Sequence, residues 1–142
     1  FVIESELQDL LDIPVFHDDQ HGTAIISTAG LINACHVAGK KLEDVKVVLA
    51  GAGAAGLSSI ALMKAAGVKA ENTVIVDRDG VVFKGRDHGM DQWKAAHATD
   101  TPHRTLAEAL ADPAVRDAHA VAVMRRDERV ARTDPARISR EG

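Results

Sequence analysis

The sequence has no tyrosine, one tryptophan and three phenylalanines, and it has a single cysteine. Aromatic side chains are therefore too few for the stacking platforms that bind single-stranded nucleic acid, and Cys35 has no partner for an intrachain disulfide. No apolar run approaches the ~20 residues that a membrane-spanning helix needs, and no signal peptide is visible. The net charge of −4 gives no general attraction to nucleic acid or to an anionic membrane. We therefore expect a cytoplasmic protein that has no nucleic-acid or membrane partner.

Several of the glycines lie together in one chemically informative segment. A β-branched run, Val-Lys-Val-Val-Leu-Ala, precedes the segment Gly-Ala-Gly-Ala-Ala-Gly, and an Ala/Leu/Ile-rich stretch follows it. A second β-branched run ends at Asp77, 21 residues beyond the last glycine of the segment. Strand, glycine turn, helix, strand and terminal acid together form the pattern of a dinucleotide-binding unit. The predicted cofactor-binding residues are Gly51, Ala52, Gly53, Ala54, Ala55, Gly56 and Asp77.

Each glycine of this pattern has a separate physical role. Gly51 lets the chain turn out of the strand, Gly53 removes the Cβ that would hold the backbone away from a pyrophosphate, and Gly56 lets the helix pack close to the sheet. The phosphates would then lie on the free N–H groups and the positive end of that helix. Asp77 can accept both hydroxyls of an adenosine ribose and would repel a 2′-phosphate, which predicts NAD rather than NADP. The alternative is a turn with a purely structural role, because glycine-rich turns occur in many loops.

The apolar residues around this unit predict alternating helices and strands. We expect an α/β fold of Rossmann type, a parallel sheet with flanking helices, of which this chain holds part of a domain. The predicted elements are a surface helix over 1–12, a strand over 13–16, a helix from Thr23 to about 38 with Gly39 as its C-cap, strands over 47–50 and 73–77, a helix from the glycine turn to Ala66, a hairpin arm over 81–83, a short helix that ends at Asp112-Pro113, and a third strand over 119–124.

A second polar cluster follows the predicted strand over 13–16. The segment His-Asp-Asp-Gln-His packs two imidazoles and two carboxylates into five positions. A single carboxylate would suffice to N-cap the next helix, so capping explains neither the second acid nor the histidines. A hard cation, Mg²⁺ or Mn²⁺, suits paired carboxylates, although two acids do not fill six coordination positions. We predict such a metal site at Asp18 and Asp19 and keep N-capping as the alternative, whereas zinc would need a third ligand beside His17 and His21.

Three segments of the chain form a recognisable combination. They are Ile-Pro-Val-Phe-His-Asp-Asp-Gln-His-Gly-Thr-Ala-Ile at 13–25, the glycine turn, and Val-Phe-Lys-Gly-Arg at 82–86. This combination resembles bacterial-type malic enzyme. The resemblance implies oxidative decarboxylation of L-malate to pyruvate and CO2 with NAD(P)⁺ and Mg²⁺ or Mn²⁺, by a complete protein that is a homo-oligomer. It also implies that Asp19 is a metal ligand with Asp18 as a supporting acid, that the glycine turn holds the pyrophosphate, and that Asp77 binds the ribose.

The catalytic groups of that family are not expected in this chain. The family's tyrosine lies upstream in another domain, as do its lysine and an adjacent Glu-Asp pair that binds the metal, and this chain has no tyrosine. We therefore predict no catalytic residue here and expect the chain alone to be inactive. The alternatives are a nucleotide-binding module without catalysis and another Rossmann-fold NAD-dependent dehydrogenase.

The sequence predicts a boundary near residue 110. Residues 1–110 form the expected NAD-binding region, with part of a strand–helix unit over 1–39 and the dinucleotide unit over 45–77. Residues 111–142 match nothing expected of the family, and beyond residue 125 they contain few apolar side chains. We expect a solvated or disordered tail, and its arginine-rich composition also fits a shifted reading frame or the start of a different domain.

Overall fold

The computed structural model describes residues 1–118, which form six α-helices and three short strands. Short 3-10 turns at Leu42–Asp44 and Ala70–Asn72 lead into the first two strands. Within residues 1–118, no helix combines the length and the apolar composition needed to cross a membrane. The elements are α1 (Val2–Leu10), α2 (Asp18–Ala38), β1 (Val47–Ala50), α3 (Ala54–Ala65), β2 (Thr73–Asp77), β3 (Gly80–Val81), α4 (Gln92–His97), α5 (Leu106–Ala111) and α6 (Pro113–Ala118).

The three strands form one small mixed sheet in the order β1-β2-β3. β1 and β2 are parallel, because α3 carries the chain across the sheet between them, and Val47 lies opposite Thr73. β3 is antiparallel to β2, because a tight turn at Arg78 and Asp79 returns the chain directly. The predicted α/β fold of Rossmann type is confirmed as part of a domain, with one antiparallel strand beside the parallel pair.

Side chains pack against both faces of the sheet, because successive residues of a strand point to opposite sides. On one face, strand residues pack against α2 and α3 in a buried cluster that contains Leu31, Cys35, Val47, Leu49, Leu57, Ile60, Met63 and Ile75. On the other face, the buried cluster contains Val48, Val76, Val81, Ala109 and Val115. Burial of both faces accounts for the continuous apolar runs in β1 and β2, which lack the alternation of a half-exposed strand.

Two predicted features near the N-terminus are wrong. Residues 13–16 form no strand and pair with none of the three strands of the sheet. They form an irregular link between α1 and α2. Helix α2 begins at Asp18, five residues before the predicted start at Thr23. Its N-cap is His17, so neither Asp18 nor Asp19 caps the helix. Both acids lie in its first turn, where the helix dipole stabilises negative charge.

The described region ends in two short helices. α5 ends at Ala111 before Asp112-Pro113, as predicted, and Pro113 takes the first position of α6, where its missing N–H leaves no helical bond unmade. Val115 of α6 is buried in the same cluster as Val48 of β1. The first residues of the predicted tail are therefore packed against the sheet. Residues 119–142, with the predicted strand over 119–124, lie outside the described residues.

Candidate nucleotide-binding site

The glycine turn leaves the sheet at the carboxyl end of β1. The Gly51 N–H donates a hydrogen bond of 2.7 Å to the Val76 carbonyl oxygen, so the turn begins as an extension of the pairing with β2. Gly51 has a φ of 120°, in the region that side-chain-bearing residues rarely adopt. The chain then enters α3 after only two further residues, Ala52 and Gly53.

Gly56 lies where the turn and the helix come closest together. A Cβ at this position would collide with the Gly51 carbonyl oxygen and would press on the Leu49 side chain. Gly53, the N-cap of α3, has the ordinary φ of −84°, and nothing lies within 4 Å of where its Cβ would be. Gly56 is therefore required by packing within the protein. Gly53 faces open space, in which a ligand could approach the backbone closely.

The start of α3 has the properties of an anion site. No side chain caps this helix end, and the first turn, which contains Ala54, Ala55 and Gly56, carries no acidic residue. The N–H groups of a first helical turn have no partner within the helix, and the helix dipole places partial positive charge there. Unpaired N–H groups and partial positive charge at a helix start are the features that bind phosphate groups.

Asp77 lies at the end of β2, as predicted, but its carboxylate already has several partners. Arg86 Nη2 donates to both carboxylate oxygens, at 3.0 and 2.9 Å, and Lys94 Nζ donates to Oδ2 at 2.8 Å. The Asp79 backbone N–H donates to Oδ1 at 2.9 Å. These four bonds match the roughly four acceptor positions of a carboxylate. A ribose that used Asp77 as the sequence predicts would have to replace one of these donors.

Burial and hydrogen bonding act in opposite directions on the pKa of Asp77. Burial by itself would raise the pKa, but the hydrogen bonds from Arg86, Lys94 and Asp79, with the charge of Arg86, outweigh it and lower the pKa below its ordinary value. The carboxylate is therefore charged at neutral pH. The adjacent guanidinium and ammonium groups offset its negative charge.

Sequence reasoning missed the roles of Arg86 and Lys94. The Arg86 side chain is only 1% exposed, and besides Asp77 it donates to the carbonyl oxygens of Val81 at 3.1 Å and His88 at 2.9 Å. Lys94, on α4, reaches Asp77 from 17 residues away. No periodic signal links these positions, so only the clustering of cations after a strand-ending acid could have suggested the contact.

The predicted metal ligands lie together at the start of α2. Asp18 and Asp19 are exposed in the first turn of α2. Within residues 1–118, no group of three or more His, Cys, Asp or Glu side chains is placed to hold a metal ion. These two carboxylates alone do not fit a six-coordinate cation.

Glu4 of α1 fixes the segment that carries these acids. Its carboxylate accepts hydrogen bonds from the His17 backbone N–H at 3.3 Å and from Gln20 Nε2 at 3.1 Å, and it lies 2.8 Å from His21 Nε2. The three contacts bracket Asp18 and Asp19 on both sides. Glu4 was not predicted as a site residue, because a single acid in an amphipathic helix carries no signal of a contact 13 residues away.

Comparison with known proteins identifies the family of this chain. A family model described as malic enzyme, NAD binding domain, matches residues 20–124, well over half of the 142 residues. The chain belongs to the malic enzyme family. The match continues to residue 124, so the similarity of this malic-enzyme chain to its family extends beyond the boundary predicted near residue 110.

The similar proteins include both cofactor types. Over 110 residues the chain is 56% identical to the NADP-dependent malic enzyme of Rhizobium meliloti and 44% identical to the NAD-dependent malic enzyme of the same organism. Each alignment covers 78% of this chain and 14% of the relative. The structure of the Entamoeba histolytica malic enzyme superposes with a TM-score of 0.73 at 28% identity, over 86% of this chain and 26% of that chain. The chain thus spans a small part of the proteins it matches, and NAD(P) binding is the property that both types share.

The collision at Gly56 generates a stability prediction with a matched control. Gly56→Ala is expected to lower the free energy of unfolding by about 1–3 kcal/mol, the usual cost of overpacking, because the Gly51 backbone and α3 must separate. Gly53→Ala, in the same turn but with open space around its Cβ, should cost less, about 0.5 kcal/mol, because alanine is a poorer N-cap than glycine. Urea denaturation followed by circular dichroism measures both. Equal destabilisation by the two variants would contradict the packing role of Gly56.

The bonds of Asp77 generate a prediction about acid stability. Because its folded-state pKa is below the ordinary 3.8, its contribution should be present above that value and be lost as the pH falls through the lower folded-state pKa. Asp77→Asn should cost about 1–3 kcal/mol at pH 7 and should lose less stability than the wild type between about pH 5 and pH 2. Asp9→Asn, at an exposed carboxylate of α1, is the control. If the free energies of unfolding of the wild type and Asp77→Asn fall in parallel over this pH range, the loss of stability in acid does not come from the Asp77 carboxylate.

Proposed function

We propose that this chain is the dinucleotide-binding portion of a malic enzyme whose complete form converts L-malate to pyruvate and CO2 by oxidative decarboxylation. The observation that carries the proposal is the uncapped start of α3 above an open Gly53, in a chain of the malic enzyme family. When bound, the nicotinamide cofactor would accept hydride from C2 of malate. The part of this chain in that reaction is to hold the pyrophosphate on the turn from Gly51 to Gly56 and to orient the adenosine ribose beside Asp77.

Other requirements of the reaction lie beyond the residues described. Asp18 and Asp19 supply two carboxylates at most, so a Mg²⁺ or Mn²⁺ site in the complete protein would need further ligands from elsewhere. The chain contains no tyrosine to act as a proton donor. We therefore expect the isolated chain to bind the dinucleotide without oxidising malate. For the complete protein, a cytoplasmic location and homo-oligomeric assembly are further proposals.

Binding to Gly53→Ala tests the location of the cofactor. A Cβ at residue 53 would project into the open space above the turn and hold a pyrophosphate away from the backbone, while leaving the fold intact. We expect this variant to bind NAD⁺ and NADP⁺ at least roughly tenfold more weakly than the wild type, because the loss of one charge-assisted hydrogen bond weakens binding by about this factor. Isothermal titration calorimetry is the measurement. Gly30→Ala is the control, because a Cβ at this position of α2 would have no atom within 4 Å. Unchanged affinity in Gly53→Ala would exclude the turn as the pyrophosphate site.

The contacts of Asp77 make NADP⁺ a second candidate for the preferred cofactor. The sequence predicts NAD⁺, because a free carboxylate would repel a 2′-phosphate. In the structure Arg86 and Lys94 contact that carboxylate and offset its charge. The Lys94 side chain is 17% exposed, and its Nζ also donates to the Gly89 carbonyl oxygen at 2.7 Å, so a turn toward an incoming phosphate would exchange one of its two hydrogen bonds for one to the phosphate. The repulsion that favours NAD⁺ is thereby weakened, while the preference for NAD⁺ remains our proposal.

A lysine substitution measures this effect. If Lys94 lies near the 2′-position, Lys94→Ala should weaken NADP⁺ binding about tenfold more than NAD⁺ binding, since a charge-assisted hydrogen bond to phosphate contributes about 1.5–3 kcal/mol. Calorimetric titration of both cofactors at low and high salt gives the ratio. Lys84→Ala, at an exposed lysine, is the matched control. An NAD⁺ to NADP⁺ affinity ratio that does not change in Lys94→Ala would remove NADP⁺ as a candidate on this ground.

A further inference from the structure

Lys64 forms an unusual contact on the side of α3 that faces α4. It lies in the last turn of α3, and its Nζ is 3.2 Å from Nδ1 of His97, the last residue of α4. An ammonium group has no acceptor, so a charged Lys64 donates to His97, which then carries no proton on Nδ1. Among residues 1–118, no carboxylate lies within ion-pair distance of Lys64 Nζ. Its neighbour is therefore a base and not an anion.

Both side chains are partly buried, and the burial favours their neutral forms. Burial lowers the pKa of Lys64, although a position at the C-terminal end of a helix favours the cation. Burial, followed by the charge of Lys64, lowers the pKa of His97. At neutral pH Lys64 thus has a larger fraction of free amine than an ordinary surface lysine, and an unprotonated imidazole lies beside it.

We propose that Lys64 is a site of non-enzymatic acylation by small acyl phosphates, with His97 as the proton acceptor. The neutral Nζ attacks the carbonyl carbon of the acyl phosphate, the bond between that carbon and the bridging oxygen breaks, and phosphate leaves with the electron pair. The proton released from Nζ passes to Nδ1 of His97, and the product is a neutral amide. No oxidant or reductant is involved. The proposal does not depend on the proposed function, since neither residue belongs to the cofactor site.

The wild-type chain provides the first test, because its other lysines are internal controls. The purified 142-residue protein is incubated with acetyl phosphate at about pH 7.5, and mass spectrometry of its peptides gives the rate of acetylation at each lysine. Lys41 and Lys69 are exposed comparisons. For each pH unit by which the pKa of an amine is lowered, the neutral fraction rises about tenfold, and the lower nucleophilicity reduces the gain to roughly threefold. We expect Lys64 to react faster than both Lys41 and Lys69, and an equal or slower rate would overturn the proposal.

A histidine substitution separates base assistance from exposure. His97→Gln keeps a polar side chain of similar reach but removes the base, so acetylation at Lys64 should be slower than in the wild type even though Lys64 remains partly buried. His88→Gln, at an exposed histidine that contacts Asp87, should leave the Lys64 rate unchanged. Circular dichroism of each variant shows whether the fold is retained, and rates at Lys41 and Lys69 are measured in the same sample. If His97→Gln retains the wild-type rate at Lys64, or if His88→Gln slows it equally, His97 is not the proton acceptor.

Discussion

The close approach of the Gly51 carbonyl oxygen to Gly56 is the constraint on which the candidate site depends. Because residue 56 has no Cβ, α3 begins directly above the end of β1, and Leu57 and Ile60 still reach the core beneath it. A helix that began farther from the sheet would lose this packing and would also move its first N–H groups away from the sheet end. One backbone contact therefore serves both the core and the anion-binding surface.

A buried guanidinium group organises the end of β2. Arg86 is almost fully buried, and a buried charge is tolerated only when it is paired and hydrogen-bonded, as Arg86 is to Asp77 and to main-chain carbonyl oxygens. Lys94 contacts the same carboxylate from a more exposed position, with one hydrogen bond to it. Replacement of Lys94 by a ribose hydroxyl would leave the Arg86 pair intact, whereas replacement of Arg86 would leave a buried charge unpaired. Asp77 can thus hold the loop and still offer an acceptor to a ligand.

The sequence predicted the features that arise from local patterns. Strand β2 has the predicted bounds, α2 ends at Ala38 before Gly39, and α5 ends before Asp112-Pro113, because β-branched runs, helical spacing, glycine and proline act over a few residues. The strand predicted over 13–16 did not form. A strand needs a neighbouring strand to pair with, and the local sequence after Pro14 carries no information about such a partner. The contacts of Asp77 with Arg86 and Lys94 and the role of Glu4 were not predictable, since each rests on a contact between residues 9 to 17 positions apart with no period.

The difference between local patterns and long-range contacts also decides which kinds of site one segment of chain can complete. The phosphate-binding donors are backbone N–H groups of one contiguous segment, and they need only the geometry of β1 and α3, both of which this chain completes. A divalent metal needs about six oxygen ligands, whereas the first turn of α2 carries only two carboxylates, on either side of which Glu4 contacts His17, Gln20 and His21. Side-chain ligands of a metal converge from separate elements, so one contiguous segment completes a backbone anion site more readily than it completes a metal centre. Dinucleotide binding is therefore the part of the proposed function that rests on a single contiguous segment of the described residues.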